Sequence, residues 1–146
     1  MKTIGEILAA KGKEVISIAA EALVLRAVET MVEKNVGALV VMDDDVIKGM
    51  ITERDYLCKI VLKGRRSHDT RIKEIMSTDV IYADPADRIE DVMAVMTRKR
   101  IRHLPVMDKD RLCGIVSIGD VTKARAESQE VEIHFLKTYI SDKYPG

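Results

Sequence analysis

The sequence predicts an α+β fold in which two copies of one strand-helix-strand-strand-helix unit pack with pseudo-twofold symmetry, followed by a C-terminal helix. Three observations predict it. Residues 36–55 align without a gap to residues 101–120, at a constant offset of 65 positions. In both copies, short apolar runs typical of strands alternate with apolar residues at helical spacing. The 146 residues, 47% of them apolar, suffice for one compact body and are too few for two independent large domains.

The first copy contains five predicted elements, each defined by its apolar spacing. They are a strand at 15–18, a helix at 24–32, strands at 39–42 and 47–51, and a helix at 53–62. Three consecutive aspartates, Asp43 to Asp45, separate the two later strands and predict a turn. A unit of roughly 60 residues buries little apolar surface alone, so we expect the two copies to pack sheet against sheet.

The second copy repeats this order of elements. They are a strand at 80–83, a helix at 89–96, strands at 104–107 and 112–116, and a final helix. Asp87 and Glu90 have the spacing of a capping box, whereas the first copy has Ala22 and Leu25 at these places. We therefore expect the first copy's helix to fray more at its start, through the loss of about 1 kcal/mol of local stability.

The repeat also sets the predicted domain boundaries. The first repeat covers 1–64, a linker 65–71, the second repeat 72–126 and a C-terminal helical tail 127–146. A three-residue shift extends the match backwards, so that the segment beginning at Ile4 lies over the segment beginning at Ile72. The tail has apolar residues at helical spacing, namely Val131, Phe135, Leu136, Tyr139 and Ile140. It would either cap the core or contact a second subunit.

The composition excludes several classes of protein. Lys and Arg number 24 and balance 24 Asp and Glu, so the net charge gives no reason to expect a DNA-coating or membrane-surface protein. Nucleic-acid binding is disfavoured further because there is no Trp and one Phe to stack on bases. No apolar run reaches the roughly 18 residues of a membrane span, and no secretory signal is recognisable, so we expect a cytoplasmic protein. Cys58 and Cys113 lie in apolar contexts and are predicted to be buried thiols.

The sequence shows no motif for catalysis. Its three histidines, His68, His103 and His134, lack metal-ligand spacing, and there is no phosphate-binding loop, dinucleotide fingerprint or nucleophile motif. We therefore predict that the protein is not an enzyme and has neither a metal nor a catalytic cofactor. A binding module remains, because it needs only shape and a few polar groups.

The most informative motif occurs once in each copy, where a strand meets a helix. It reads Gly49-Met50-Ile51-Thr52-x-x-Asp55 in the first copy and Gly114-Ile115-Val116-Ser117-x-x-Asp120 in the second. A hydroxyl residue followed three positions later by an acid is a capping box, which needs no ligand. The same geometry gathers helix N–H groups that favour phosphate and a carboxylate that suits ribose hydroxyls. Both interpretations stay open, and the doubling of the motif supports a nucleotide site.

The two copies differ at the start of their central strand. Arg102 and His103 in the second copy stand where the first copy has Gly37 and Ala38. Because Arg binds phosphate through charge-assisted and often bidentate hydrogen bonds, the pair is consistent with a phosphate near the second motif. A solvated strand end is the alternative, since residues 98–100 already form a basic run.

These motifs resemble a tandem of cystathionine β-synthase (CBS) domains, also called a Bateman module, over about residues 3–126. The matching segments are Ile72-Lys73-Glu74-Ile75-Met76-Ser77, residues 101–108, residues 114–120 and Thr52-Glu53-Arg54-Asp55. The resemblance implies a regulatory module that binds an adenosine-containing ligand in clefts between the repeats. The implied ligands are AMP, ADP, ATP, NAD(H) or S-adenosylmethionine, and the module would signal cellular energy or redox state to a partner.

The resemblance also implies which side chains line two clefts. One cleft would combine Arg102, His103, Ser117 and Asp120 with Ile16, Ser17 and Val36. The other would combine Thr52, Arg54 and Asp55 with Ser77, Tyr82 and Ile101. We expect the first of these clefts to take a phosphorylated ligand, because the other lacks the two basic residues.

Two kinds of protein partner follow from the same resemblance. Tandem CBS proteins commonly form disc-like dimers, so we expect a homodimer. An effector protein, still unidentified, would read the population shift that the ligand causes. The competing hypothesis is a dimeric adaptor that binds no small ligand.

Overall fold

The computed structural model describes residues 2–127. Its helices are α1 (Ile4–Lys11), α2 (Val24–Lys34), α3 (Glu53–Tyr56), α4 (Ile89–Lys99) and α5 (Ile118–Glu127), with a π-helix at Leu57–Val61 and a 3₁₀ helix at Ile72–Glu74. Its strands are β1 (Ser17–Ile18), β2 (Ala38–Asp43), β3 (Val46–Thr52), β4 (His103–Asp108) and β5 (Arg111–Ser117). The predicted α+β class is confirmed. The predicted tail helix lies outside the described residues.

The described residues form two compact units, and each unit takes one segment from the other repeat. The first-repeat unit is Glu14–Tyr82, and the second-repeat unit joins residues 2–13 to residues 83–127. The segments that the sequence aligned at Ile4 and Ile72 have therefore exchanged places. Helix α1 completes the second-repeat unit, and the 3₁₀ helix at Ile72 completes the first-repeat unit.

The first-repeat unit is built on a three-stranded sheet in the order β1-β2-β3. Strand β1 is parallel to β2, and β2 and β3 form an antiparallel hairpin. At the predicted turn, Asp44 and Asp45 have φ values of 50° and 63°, a conformation that a tight hairpin requires and that Asp tolerates. The core of this unit consists of Ala20, Val24, Ala27, Met31, Leu39, Val41, Ile51, Ile60, Ile72 and Ile75.

The second-repeat unit has the hairpin but lacks the first strand that was predicted at 80–83. Strands β4 and β5 pair antiparallel, and the upstream segment contributes one parallel bridge, Ala83 to Val106. The reason lies at one position. Val40 in β2 donates its N–H to Ile16 at 3.2 Å, whereas the aligned Pro105 in β4 has no N–H to donate. With Pro105 unable to donate, two backbone hydrogen bonds join this segment to β4. They are the bond from the Ala83 N–H to the Pro105 carbonyl and the bond from the Met107 N–H to the Ala83 carbonyl.

The helix starts correct the capping prediction. Helices α2 and α4 follow Leu23 and Arg88, and neither helix has a side-chain cap. Asp87 accepts instead from the N–H of Asp84 at 2.9 Å, so it closes the preceding turn. The sequence predicted that a side-chain cap would make the second copy's helix fray less than the first copy's. That reason was wrong, because both helix starts lack such a cap.

The helix predicted at 53–62 is a single turn of α-helix that continues as the π-helix Leu57–Val61. Cys58, in this π-helix, and Cys113, in β5, are both half-buried, so they are less buried than the sequence predicted. Burial still raises the pKa of the Cys113 thiol, which donates to the carbonyl of Val106 at 3.3 Å. Within residues 2–127, no helix combines the length and the apolar composition that a membrane crossing requires.

Candidate functional site

The two strand-to-helix corners have capping-box geometry, as the sequence motif predicts. In the first-repeat corner, formed by Thr52 and Asp55, the Thr52 hydroxyl accepts from the Asp55 N–H at 3.2 Å and the Asp55 carboxylate accepts from the Thr52 N–H at 3.0 Å. In the second-repeat corner, formed by Ser117 and Asp120, the matching distances are 3.1 and 2.8 Å. Capping therefore accounts for one carboxylate oxygen in each corner. The two corners differ in which groups, if any, donate hydrogen bonds to the other carboxylate oxygen.

In the first-repeat corner, the Asp55 carboxylate is closed off by neighbouring side chains. Its side chain is 8% exposed. Oδ2 accepts from both the N–H and the hydroxyl of Thr52, at 3.0 and 3.2 Å. Oδ1 accepts from the Ser77 hydroxyl at 3.1 Å and lies 3.0 Å from the Lys59 ammonium. A carboxylate has about four lone-pair sites, and here each faces a donor.

The segment that closes this corner is held by backbone pairing. Ser77 and Met50 exchange two N–H to carbonyl bonds, at 2.8 and 2.9 Å. This approach depends on Gly49, because a Cβ at that position would lie 2.5 Å from the Ser77 carbonyl oxygen. Lys59 adds a further tie by donating to the Ile75 carbonyl at 2.8 Å.

In the second-repeat corner, the Asp120 carboxylate is more open. Its side chain is 24% exposed. Oδ2 accepts from the Lys11 ammonium at 2.6 Å and from the Ser117 N–H, while no hydrogen bond among the described residues reaches Oδ1. Burial alone would raise the pKa of Asp120, but the hydrogen bonds from Lys11 and Ser117 and the charge of Lys11 outweigh it, and the pKa falls below its ordinary value. The carboxylate is therefore favoured in its ionised form, and one of its oxygens has no hydrogen-bond donor in the part of the chain that the structure describes.

The basic pair lies at this same corner. His103, the first residue of β4, is in register with Ser117, the last residue of β5. Arg102 precedes His103 and is exposed. Its backbone carbonyl accepts a hydrogen bond from the N–H of Ile118, the first residue of α5, at 2.8 Å. The second-repeat unit thus places Arg102, His103, Ser117 and Asp120 at one strand end, and their role in ligand binding stays a prediction.

The other predicted site residues divide between the two units. Ile16, Ser17 and Val36 belong to the first-repeat unit, with Ser17 exposed in β1 and the other two half-buried. Thr52, Arg54, Asp55, Ser77 and Tyr82 belong to the same unit, and Ile101 belongs to the second-repeat unit. Of these, the structure brings Thr52, Asp55 and Ser77 into direct contact, whereas Arg54 and Tyr82 are exposed side chains.

Sequence reasoning missed the two lysines that face the acids. Lys59 is four residues after Asp55 on the same helical stretch, a spacing that could have identified the pair. Lys11 contacts Asp120 across 109 residues of chain, and no spacing rule connects them. As for metals, the part of the chain that the structure describes contains no cluster of three His, Cys, Asp or Glu side chains that could hold an ion.

Comparison with known proteins identifies the family. The family model of the CBS domain matches residues 4–61 and 72–127. A protein with CBS domains from Burkholderia ambifaria superposes with a TM-score of 0.85 at 43% identity, over 88% of this chain and 96% of that one. The Arabidopsis thaliana protein described as CBS domain-containing protein CBSX3, mitochondrial, is 37% identical over 97% of this chain and 73% of its own length.

A more distant structure of the same fold was solved with ligands. The CBS domain pair of the protein MJ0100, in complex with 5′-methylthioadenosine and S-adenosyl-L-methionine, gives a TM-score of 0.77 at 24% identity, over 88% of this chain and 98% of that one. At this identity the likeness concerns the fold alone. Two matched CBS domains, the α+β units and these relatives together show that the chain belongs to the CBS-domain family, as a tandem CBS pair or Bateman module.

Proposed function

We propose that this chain is a regulatory module that binds one adenosine-containing nucleotide at the second-repeat corner. The observation that carries the proposal is the state of Asp120, whose ionised carboxylate is partly exposed and keeps Oδ1 without a hydrogen bond from the described residues. A carboxylate in this state accepts the vicinal hydroxyls of a ribose. The MJ0100 complex supports the ligand class at the level of the fold.

The surroundings of Asp120 suit the rest of a nucleotide. The N–H groups of Ile118 and Asp120 are already bonded, but the dipole at the start of the ten-residue helix α5 still favours a phosphate, and Arg102 is exposed at the adjoining strand start. The ligands we propose are AMP, ADP, ATP or NAD(H), with S-adenosylmethionine as a further adenosine-containing candidate.

We propose one nucleotide per chain because the first-repeat corner is already filled. Asp55 would have to release Ser77 or Lys59 before it could accept a ribose hydroxyl, and its side chain is 8% exposed. Breaking hydrogen bonds to a buried charged group is costly. Binding at Thr52, Arg54 and Asp55 stays a prediction from the resemblance, and Asp55 argues against it.

In this proposal the nucleotide acts by differential affinity. A ligand that prefers one arrangement of the protein shifts the population towards it and reports energy or redox state to a partner protein. We propose a homodimer as the working form. Its stoichiometry can be measured by light scattering with and without nucleotide.

The test is thermal unfolding against AMP, ADP, ATP, NAD, NADH and S-adenosylmethionine, followed by calorimetric titration of any ligand that raises Tm. A ligand at 100 times its Kd adds about 2.7 kcal/mol to the free energy of unfolding. We expect one nucleotide per chain, binding abolished by Asp120→Asn, and binding retained by the matched control Asp55→Asn. Asn keeps the capping acceptor in both variants while removing the charge.

Two outcomes would overturn the proposal. No stabilisation by any of these ligands at millimolar concentration would favour the dimeric adaptor. Loss of binding in Asp55→Asn but not in Asp120→Asn would move the site to the first-repeat corner.

A further inference from the structure

Lys11 holds an unusual position for a surface lysine at the end of a helix. It is the last residue of α1, and its ammonium donates to Asp120 Oδ2 at 2.6 Å and to the Ile115 carbonyl at 3.0 Å. An ammonium has three N–H donors, and within residues 2–127 the third has no hydrogen-bond partner. The side chain is 34% exposed, so this donor can be reached from solvent.

The charge of Lys11 changes what the corner can accept. A lone carboxylate attracts ribose hydroxyls but repels the phosphate that a nucleotide carries on the same sugar. With Lys11 at 2.6 Å, the acid is neutralised while Oδ1 remains available to a hydroxyl. The exposed Arg102 at the start of β4 then leaves the corner with a positive balance over these three side chains.

The first-repeat corner provides the contrast. There the cation is Lys59, which also bonds a carboxylate and a backbone carbonyl, but the Ser77 hydroxyl shares the same carboxylate oxygen. In the second repeat the position aligned with Lys59 is Ala124, so the charge comes from α1 instead. The second-repeat corner thus has a cation beside an acid whose other oxygen receives no hydrogen bond from residues 2–127.

We propose that Lys11 is a specificity-determining residue that makes the second-repeat corner select a phosphorylated nucleoside over the bare nucleoside. This inference rests on the proposed function. Lys11 keeps Asp120 ionised and shielded for the ribose and directs its remaining N–H to the phosphate. The selectivity comes from charge, so it grows with the number of phosphates and weakens with salt.

The experiment compares adenosine, AMP and ADP by calorimetric titration on the wild-type chain, Lys11→Met, Lys11→Arg and the control Lys13→Met, which removes a nearby exposed lysine. We expect Lys11→Met to raise the Kd of AMP and ADP about tenfold, the loss of a charge-assisted hydrogen bond, and to leave the Kd of adenosine within about twofold. Lys11→Arg should keep most of the selectivity, and Lys13→Met all of it. Should Lys11→Met not fold, Lys11→Gln, which retains a donor for the Ile115 carbonyl, replaces it.

The outcomes separate this inference from the proposed function. Equal losses of adenosine and AMP would show that Lys11 only positions Asp120, and an unchanged Kd for both would show that it has no role. Either result overturns the inference about Lys11, and neither contradicts the proposal that the wild-type chain binds a nucleotide. Equal wild-type affinity for adenosine and AMP would overturn the inference alone. A wild-type chain that binds none of these three ligands would also overturn the inference, and it would overturn the proposed function only if ATP, NAD, NADH and S-adenosylmethionine failed to bind as well.

Discussion

The two corners of this protein start from the same motif and reach different states. Each has a capping box and one lysine beside its aspartate. In the first-repeat corner the lysine comes from the same helical stretch, and a paired segment adds a hydroxyl, so the acid is buried. In the second-repeat corner the lysine comes from α1, and one carboxylate oxygen accepts no hydrogen bond from the described residues. The comparison teaches that a repeated motif specifies the local backbone, while the segment packed over it decides whether a carboxylate is structural or available.

The glycine pair should give the largest effect. A Cβ at Gly49 would meet the Ser77 carbonyl at 2.5 Å, a backbone atom that cannot move without breaking the bridge, whereas a Cβ at Gly114 would meet the side-chain methyls of Leu8 at 2.7 and 2.9 Å. We expect Gly49→Ala to lower the free energy of unfolding by about 3 kcal/mol and Gly114→Ala by about 1 kcal/mol. Urea denaturation measures both. Equal losses would contradict the claim that the first-repeat corner is the more rigidly closed.

The lysine pair should give an intermediate effect. Lys59→Met leaves the buried Asp55 without its cation, while Lys11→Met leaves a carboxylate that water already reaches. Because Lys59 is itself partly exposed and Asp55 keeps its other donors, we expect a loss of about 2 kcal/mol for Lys59→Met and less than about 1 kcal/mol for Lys11→Met. Urea midpoints at pH 7 test the ranking. A larger loss for Lys11→Met would reverse the assignment of which acid is structural.

The acid dependence of the second-repeat corner should give the smallest effect. The pKa of Asp120 is lowered in the folded protein, so its ionised form stabilises the fold above the unfolded-state pKa of about 3.9 and stops doing so as the pH falls through the folded-state value. We expect the stability difference between wild type and Asp120→Asn, below about 1 kcal/mol at pH 7, to shrink once the pH falls below about 3.9 and to disappear below the lower folded-state pKa of Asp120.

Urea unfolding of both proteins between pH 7 and pH 3 measures this difference. Subtraction of the variant is needed because the pKa of Glu74, which accepts the Arg71 N–H and pairs with Arg65, and that of Glu127, which pairs with Lys2, are lowered too. A difference that grows as the pH falls would contradict the ion pair seen between Lys11 and Asp120.

The sequence predicts the fold well where local spacing controls the structure and fails where a distant segment intervenes. The repeat located the hairpins, because apolar alternation and the Asp44 turn are local. The alignment places Pro105 opposite Val40, but the loss of the second copy's first strand was not predicted from it. Val40 donates its N–H to the first strand, and Pro105 has no N–H to donate. Asp87 has the spacing of a helix cap, but its carboxylate accepts a hydrogen bond from the Asp84 N–H in the preceding turn.

The candidate site follows the same division. Ser117 and Asp120 were found from spacing, since a capping box is a local structure. Ser77 was named through family resemblance, and its contact with Asp55 depends on the pairing with Met50, which spacing alone does not give. Lys11 was out of reach because it meets Asp120 only after the chain has folded back over 109 residues.

The exchange of segments between the repeats has a consequence for synthesis. Once residue 82 has left the ribosome, the first-repeat unit has all of its sequence, whereas α1, made first, must wait for residues 83–127 before it has its strands to pack on. Contacts that span so much chain form slowly. We expect a chain stopped at residue 82 to show hydrogen-exchange protection in β2 and β3 and none in α1. Of the two corners, the Asp120 corner is therefore the later to assemble, so that capture of a nucleotide there would require both repeats to have been synthesised.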